Sequence, residues 1–419
     1  MGMTQQQIID QNNQFLALVD WKPGVMDSVN NTYALGKTLK FTFSPTGGYA
    51  KAIWVFGVVD VDVTLGTNAV LTLSDANFYA LFRQMRVKLG NTIHQVHPWA
   101  VELINRLSNN AGQEFNYAGP NAYPWASQYL FGSNNGATKS NSFLLTAGDN
   151  IWRFGFRIPL QFEPGDVTGL IPLGSSANQL TLEFDTAQQI GGSVGTSITD
   201  YYTDPLYNAA IVTTPGTTAT TIVVGTSVSS TINAVVEYAD MNTLQGPSAV
   251  VQVPDPIITQ AIYLRDNTTA VTNFGQYTYA RFDEPYEFMR LIAIMDDNYT
   301  SSNDANNPAQ LANVQKIDGI KLNFDGQETA MEWGADTGGT FPFWFDQIRK
   351  YGNNLPQGVL PFDFSSGQDP RHPSGQNLLN AKEYTQARIG IQYANPSGGT
   401  APSGSYIKLI GQYIVPQAY

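Results

Sequence analysis

The residues best suited to chemistry are few. Three histidines, His94, His97 and His372, are the only imidazoles. His94 and His97 fall in one expected strand and its end. Their odd separation points them to opposite faces of a regular strand, so they do not converge on a metal. The chain has no cysteine, which removes disulfides and thiolate metal sites. Carboxylates pair at Asp60/Asp62, Glu183/Asp185 and Asp296/Asp297. The first two pairs lie at i, i+2 on expected strands, so each shares a face. Two carboxylates across a cleft, roughly 5–9.5 Å apart, are the machinery of glycoside cleavage. The plainer reading is solvated or subunit-contact carboxylates. Loop-end aspartates could hold Ca²⁺ through oxygen, but no EF-hand spacing is present. No phosphate-binding glycine loop, nucleophile elbow or HExxH motif occurs. Asn30-Asn31-Thr32, Asn267-Thr268-Thr269 and Asn298-Tyr299-Thr300 match the glycosylation pattern but read as ordinary polar loops. No catalytic, cofactor-binding or metal-ligating residue is assigned. No cofactor is expected, and the chain does not read as an enzyme.

Composition narrows the partners. The chain has 419 residues and a net charge of −12. No cluster of Lys or Arg is available to neutralise phosphates, which argues against direct contact with nucleic acid. Charged residues are 13% of the chain, about half the usual share of roughly 25%. Asn, Gln, Ser, Thr and Gly carry the polar surface instead, and such a surface suits packing against other protein. Apolar runs such as Ala52–Val59 are far too short for a membrane-spanning helix. No signal peptide is visible at the N-terminus, so synthesis in the cytoplasm is expected.

The elements that would position these residues are mostly strands. Residues 1–36 read as an N-terminal arm. Within it Ile8, Ile9, Phe15, Leu16 and Val19 recur at helical spacing, which predicts an amphipathic helix over about 4–19. Such a helix docks on a neighbour or a membrane, or packs on its own domain. Residues 37–245 read as strands separated by turn chemistry. Leu39, Phe41 and Phe43 alternate, and Lys51–Thr64 is a long β-branched and aromatic run. Ser74-Asp75-Ala76-Asn77 offers caps for a short helix through Gln84. Gly90-Asn91 marks a hairpin within Met85–Val96, and Pro98–Leu107 reads as a helix. Thr186–Thr220 is a long loop with Tyr201, Tyr202 and Tyr207, a surface-building composition. Prolines around Gln245–Pro256 mark a boundary. Residues 246–419 then repeat the scheme, with a helix candidate at Phe343–Ile348.

The repeat is specific. Ile53–Asp60 is answered by Leu291–Asp297, and Met85–Asn91 by Ile317–Asn323. Ile158–Phe162 is answered by Leu360–Phe364, Leu180–Phe184 by Arg388–Tyr393, and Val235–Tyr238 by Ile410–Tyr413. Shared order with unequal spacers predicts an all-β chain of two tandem eight-stranded jelly-roll barrels, with short helices in loops.

Three stretches carry a resemblance. They are Ile158-Pro159-Leu160 with Asp166-Val167-Thr168-Gly169 and Leu180-Thr181-Leu182-Glu183-Phe184, then Leu291–Asn298, then Pro356-Gln357-Gly358-Val359. Together they resemble the double jelly-roll major capsid proteins of the tectivirus–adenovirus lineage, over roughly residues 37–419 in layout. The resemblance implies a homotrimer of six barrels, a pseudo-hexagonal tile of an icosahedral virion. It implies neighbouring trimers and penton or minor capsid proteins as partners, and a bacteriophage with an internal membrane as the virus. It makes Ile8, Ile9, Phe15, Leu16 and Val19 an inward arm, and Tyr201, Tyr202 and Tyr207 part of an outer tower loop. The sequence departs from some relatives in lacking a basic N-terminus. The alternatives are a carbohydrate-binding or glycoside-hydrolysing β-sandwich and a minor capsid or spike protein.

Overall fold

Alternation builds the first barrel. In Thr38–Phe43, Leu39 and Phe41 are buried while Thr38 and Lys40 are exposed. The partner strand Leu180–Thr186 buries Leu180, Leu182 and Phe184. These positions recur every second residue, so each strand gives one row of side chains to the interior. The computed structural model describes residues 15, 19–44, 47–68, 70–73, 77–108, 132–133, 144–145, 147–161, 170–173, 179–188, 190, 210–214, 221–239, 258–282, 287–297, 310–311, 317–325, 327–334, 340–351, 358–364, 379–380, 384, 386–394 and 406–416.

The principal strands of the first half are β1 (Trp21–Val25), β2 (Thr38–Phe43), β3 (Tyr49–Thr64), β4 (Phe82–Leu89), β5 (Asn91–Val96), β6 (Gly148–Pro159), β7 (Leu180–Thr186) and β8 (Thr231–Ala239). Their antiparallel pairings give the orders β1-β8-β3-β6 and β2-β7-β4-β5. The second half supplies β9 (Ile258–Ala270), β10 (Tyr277–Arg281), β11 (Glu287–Asp297), β12 (Ile317–Phe324), β13 (Gln327–Trp333), β14 (Val359–Asp363), β15 (Ala387–Tyr393) and β16 (Tyr406–Pro416). They pair as β9-β16-β11-β14 and β10-β15-β12-β13. Each half thus repeats the order first-eighth-third-sixth and second-seventh-fourth-fifth, the connectivity of a jelly roll. The five sequence landmarks occupy the third, fourth, sixth, seventh and eighth strands of both halves, or the end of the sixth.

Each barrel has its own aromatic core. In the first, the Phe82 ring lies 4.8 Å from Phe184 and 6.1 Å from Phe154. In the second, Phe343 lies 5.0 Å from Trp333 and 5.7 Å from Phe362. Burying one such side chain is worth about 1.5–3 kcal/mol. A helix follows the fifth strand in each barrel: α1 (Pro98–Ser108) and α2 (Phe341–Tyr351). The barrels are joined along one edge, where β5 and β9 pair in parallel through Ile262↔His94 and Tyr263↔Gln95.

Three expectations change. The segment expected as an arm contains β1, which pairs with β8 from Trp21↔Ala239 to Val25↔Val235. Its Pro23-Gly24 reads as a break, yet β1 is an edge strand, where proline is tolerated. Gly24 is needed there, because a Cβ would come 2.5 Å from the Phe43 ring. The helix expected through Gln84 is a 3-10 helix over Asn77–Leu81, and β4 begins at Phe82. The loop expected over Thr186–Thr220 contains a strand, Ala210–Thr214. It pairs with Val70–Leu73, which also pairs with Leu144–Leu145. Three separate long connections of the first barrel thus share a small sheet of their own.

Candidate functional site

The residues with chemical potential are occupied structurally. His94 is fully buried, and its Nε2 lies 3.1 Å from the Pro159 carbonyl oxygen. His97 is buried as well, and its Nδ1 accepts from the Trp99 amide at 3.2 Å, at the first turn of α1. His372 lies outside the described residues. Asp60 is buried on β3: its Oδ2 accepts from the Val228 amide at 3.0 Å, and its amide donates to Ser230 Oγ at 3.0 Å. Asp62 sits opposite Asp149, which accepts from the Ser227 hydroxyl at 2.6 Å. Glu183 pairs with Lys88 at 2.7 Å and Arg86 at 3.2 Å, while Asp185 pairs with Arg86 at 2.9 Å. Burial pushes the Glu183 carboxyl up, but Lys88 and Arg86 outweigh it and hold the group below its ordinary range. A glycosidase acid requires the opposite shift. Asp296 and Asp297 lie on β11, and Asp296 is opposite Leu311. Among the described residues, no group of three His, Asp or Glu is placed to hold a metal.

The sites expected from sequence divide differently. Phe15 is helical and fully buried, its ring edge-on to Tyr49 at 5.8 Å. Val19 is half-buried, and its amide donates to the Phe15 carbonyl at 3.0 Å. Ile8, Ile9 and Leu16 lie outside the described residues, as do Tyr201, Tyr202 and Tyr207.

The surface that stands out is the face between barrels. Along β11, Leu291, Ala293 and Met295 enter the second core. Ile292 and Ile294 point the other way and join the first barrel's apolar cluster, with Val359 of β14 and Ile410 of β16. Helix α1 belongs to the same cluster through Trp99, Val101, Leu103, Ile104 and Leu107. Residues on several sides of α1 are buried, which requires partners on more than one side. A polar network flanks this apolar patch. Arg290 Nε lies 3.0 Å from Asp363 Oδ2, with both side chains almost wholly buried. Arg290 Nη1 donates to Gln412 Oε1 at 3.3 Å. Lys408 lies nearby on β16, and burial pushes its ammonium down to a pKa of about 8. Sequence alone offered one signal for this face: the unbroken apolar run Leu291–Met295, where a half-solvated strand would alternate.

Among the described residues, the first barrel's corresponding face is more open. Trp54 stands opposite Val235 in the β3–β8 pair, as Ile292 stands opposite Ile410 in β11–β16. Phe56 on this face is 41% exposed and Val25 is 75% exposed, whereas Ile292 and Ile410 are 0% exposed. At its border Lys51 pairs with Glu237 at 2.7 Å and lies 4.7 Å from the centre of the Trp21 ring.

No family model matches the sequence, and no curated protein matches it. Solved structures do. The chain is similar to the capsid protein in a quasi-atomic model of the PBCV-1 virus capsid, at 13% identity and a TM-score of 0.61, covering 94% of each chain. It is similar to the STIV MCP at 10% identity and a TM-score of 0.51, covering 94% of this chain and 96% of that one. It is similar to the Faustovirus major capsid protein at 9% identity and a TM-score of 0.52, covering 95% and 90%. The fold is a double jelly roll. Both barrels of the double jelly roll, not one of them, are matched, because the coverage spans nearly the whole of each chain. At these identities the likeness is one of architecture.

Proposed function

We propose that this double jelly roll is the major coat subunit of an icosahedral virus and acts without catalysis. The observation that carries the reading is the completeness of the duplication. Two barrels with one strand order lie edge to edge, and the match to the PBCV-1 capsid structure covers 94% of both chains. In this reading three chains form a pseudo-hexagonal tile, because two similar barrels let a three-fold ring imitate a six-fold one. The tile meets neighbouring tiles and penton or minor capsid proteins. Low charge supports this use, since charged groups are costly to desolvate at interface centres. The shared sheet of Val70–Leu73, Leu144–Leu145 and Ala210–Thr214 supports an ordered projection beyond the first barrel, with Thr186–Thr220 contributing to the outer surface.

The virus is proposed to be a bacteriophage with an inner membrane, on the sequence resemblance alone. The segment over 4–19 would face that membrane, and its apolar Ile8, Ile9 and Leu16 support such a role.

Light scattering on the purified chain tests the central claim. The expected particle is three times the 45.8 kDa chain mass, and electron micrographs should show shells or flat hexagonal arrays. A monomer at all concentrations overturns the reading. For the arm, Ile8→Asp with Ile9→Asp leaves the Phe15–Tyr49 packing in place. Its expected effect is loss of membrane-associated shells, and an unchanged yield removes the membrane role.

A further inference from the structure

The sheets β2-β7-β4-β5 and β10-β15-β12-β13 balance their charges differently. On the first barrel, one row across β2, β7 and β4 reads Lys40, Glu183, Arg86, so both cations stand opposite a carboxylate. On the second barrel, a row across β10, β15 and β12 reads Arg281, Arg388, Asn323. Like charges directly opposite one another destabilise a sheet. Nearby carboxylates are engaged elsewhere. Glu332 pairs with Lys321 at 2.8 Å, and Asp325 accepts from the Gln386 amide at 3.0 Å. Among the described residues, no carboxylate pairs with Arg281 or Arg388.

Arg388 is nonetheless fixed in place. Its guanidinium carbon lies 4.4 Å from the centre of the Tyr279 ring, and Tyr279 stacks on Tyr277 with centroids 6.1 Å apart. Gly390 makes room for these rings, since a Cβ there would come 2.6 Å from Tyr279 Cε1. A guanidinium stacked on a ring keeps its planar N–H edge for an oxyanion. A solvated arginine would turn every nitrogen to water, but Arg388 Nε is buried with no hydrogen-bond partner. Asn323 stands opposite Arg388 and is 2% exposed, and its Oδ1 is likewise buried without a partner. One atom is a donor and the other an acceptor. A hydroxyl group, which accepts and donates, satisfies both.

We propose that Arg281, Arg388 and Asn323 bind a sugar acid, with its carboxylate on the two guanidinium groups and a neighbouring hydroxyl between Arg388 Nε and Asn323 Oδ1. The ligand is a uronic acid, either free or as a unit of an acidic polysaccharide. The net charge of −12 gives the chain no general attraction for anions, so binding depends on these positions. The site lies within one chain and stands independently of the coat-subunit reading.

Calorimetry on the purified full chain tests this, with glucuronate, an oligomer of uronic acids, glucose and sulfate at one ionic strength. The expected result is saturable binding of glucuronate and of the oligomer, none of glucose, and weaker binding of sulfate, which brings no hydroxyl. Tighter binding of the oligomer, unit for unit, assigns the polysaccharide, and equal binding assigns the free sugar acid. Arg281→Gln with Arg388→Gln should weaken binding by about tenfold or more. Lys321→Gln, a cation on the same sheet with its own carboxylate partner, should leave it unchanged. Asn323→Asp keeps the side chain's size and supplies the carboxylate that the row lacks. It should raise the melting temperature and abolish binding, which separates loss of the site from loss of the fold. No binding of glucuronate overturns the proposal. So does sulfate bound as tightly as glucuronate, or glucuronate bound equally by wild type and Asn323→Asp.

Discussion

The outer faces of β1-β8-β3-β6 and β9-β16-β11-β14 are built from the same strands in the same order, yet they meet different surroundings. On the second barrel the face is sealed inside the chain, and an ion pair between Arg290 and Asp363 is sealed with it. On the first barrel the equivalent positions reach the surface, and the ion pair at the border, Lys51–Glu237, keeps 15% and 26% of its side chains exposed. A strand apolar on both faces demands cover on both faces. Where the chain supplies the cover, buried charge is tolerated because its partners are fixed. Where the strand's outer side is more open, the ion pair stays at the border, within reach of water.

That comparison can be broken by experiment. The largest expected difference is electrostatic. Asp363→Ala strands the Arg290 guanidinium in the interior and should cost about 3–5 kcal/mol in denaturant unfolding. Glu237→Ala, at the exposed counterpart, should cost about 0–1 kcal/mol. Equal losses would show that the two faces are not differently solvated.

Packing gives the next contrast. Ile292→Ala removes a side chain with no exposed surface and should lower stability by about 2–5 kcal/mol. Phe56→Ala on the isolated chain should stay within about 1 kcal/mol, because much of that ring already meets water.

The smallest effect concerns pH. Lys408 has a folded pKa of about 8, below the ordinary 10.5, because burial disfavours its ammonium form. Between those values the unfolded chain holds a proton that the folded chain has released, so stability rises with pH. From pH 8 to 9 the gain should be about 1 kcal/mol. It should appear in the difference between wild type and Lys408→Met, because the variant lacks the titrating ammonium. A flat difference curve would mean that Lys408 is solvated and that this part of the second face is open like the first.

Much of the architecture was legible in the sequence because alternation and the five matched landmarks are local patterns. Leu39 and Phe41 announce a half-buried strand by themselves, and Gly90, with a φ of 69°, announces its hairpin. The failures have a common cause. β1 is short, lies at an edge and contains Pro23-Gly24, so its strand character comes only from pairing with residues near 235. The three-stranded sheet of Val70–Leu73, Leu144–Leu145 and Ala210–Thr214 draws on segments more than 60 residues apart, and no window along the chain contains it. The face between barrels left a readable trace, the unbroken apolar run at Leu291–Met295. An equally unbroken run at Ile53–Val59 left the same trace on a strand whose outer side reaches the surface at Phe56. Periodicity reports that a face is apolar, not what covers it.

The position of β16 has a consequence for the order of events during synthesis. β16 is the last strand of the sixteen, and it lies between β9 and β11 rather than at an edge. The first barrel has all its strands once residue 239 has been made. The second cannot close its larger sheet until Tyr406–Pro416 has left the ribosome, however long its other strands have waited. Ile410, which helps seal the two barrels together, arrives on that same strand. A nascent chain therefore offers a finished first barrel beside an open second one, and the apolar seal through Ile410 forms only after β16 has been made.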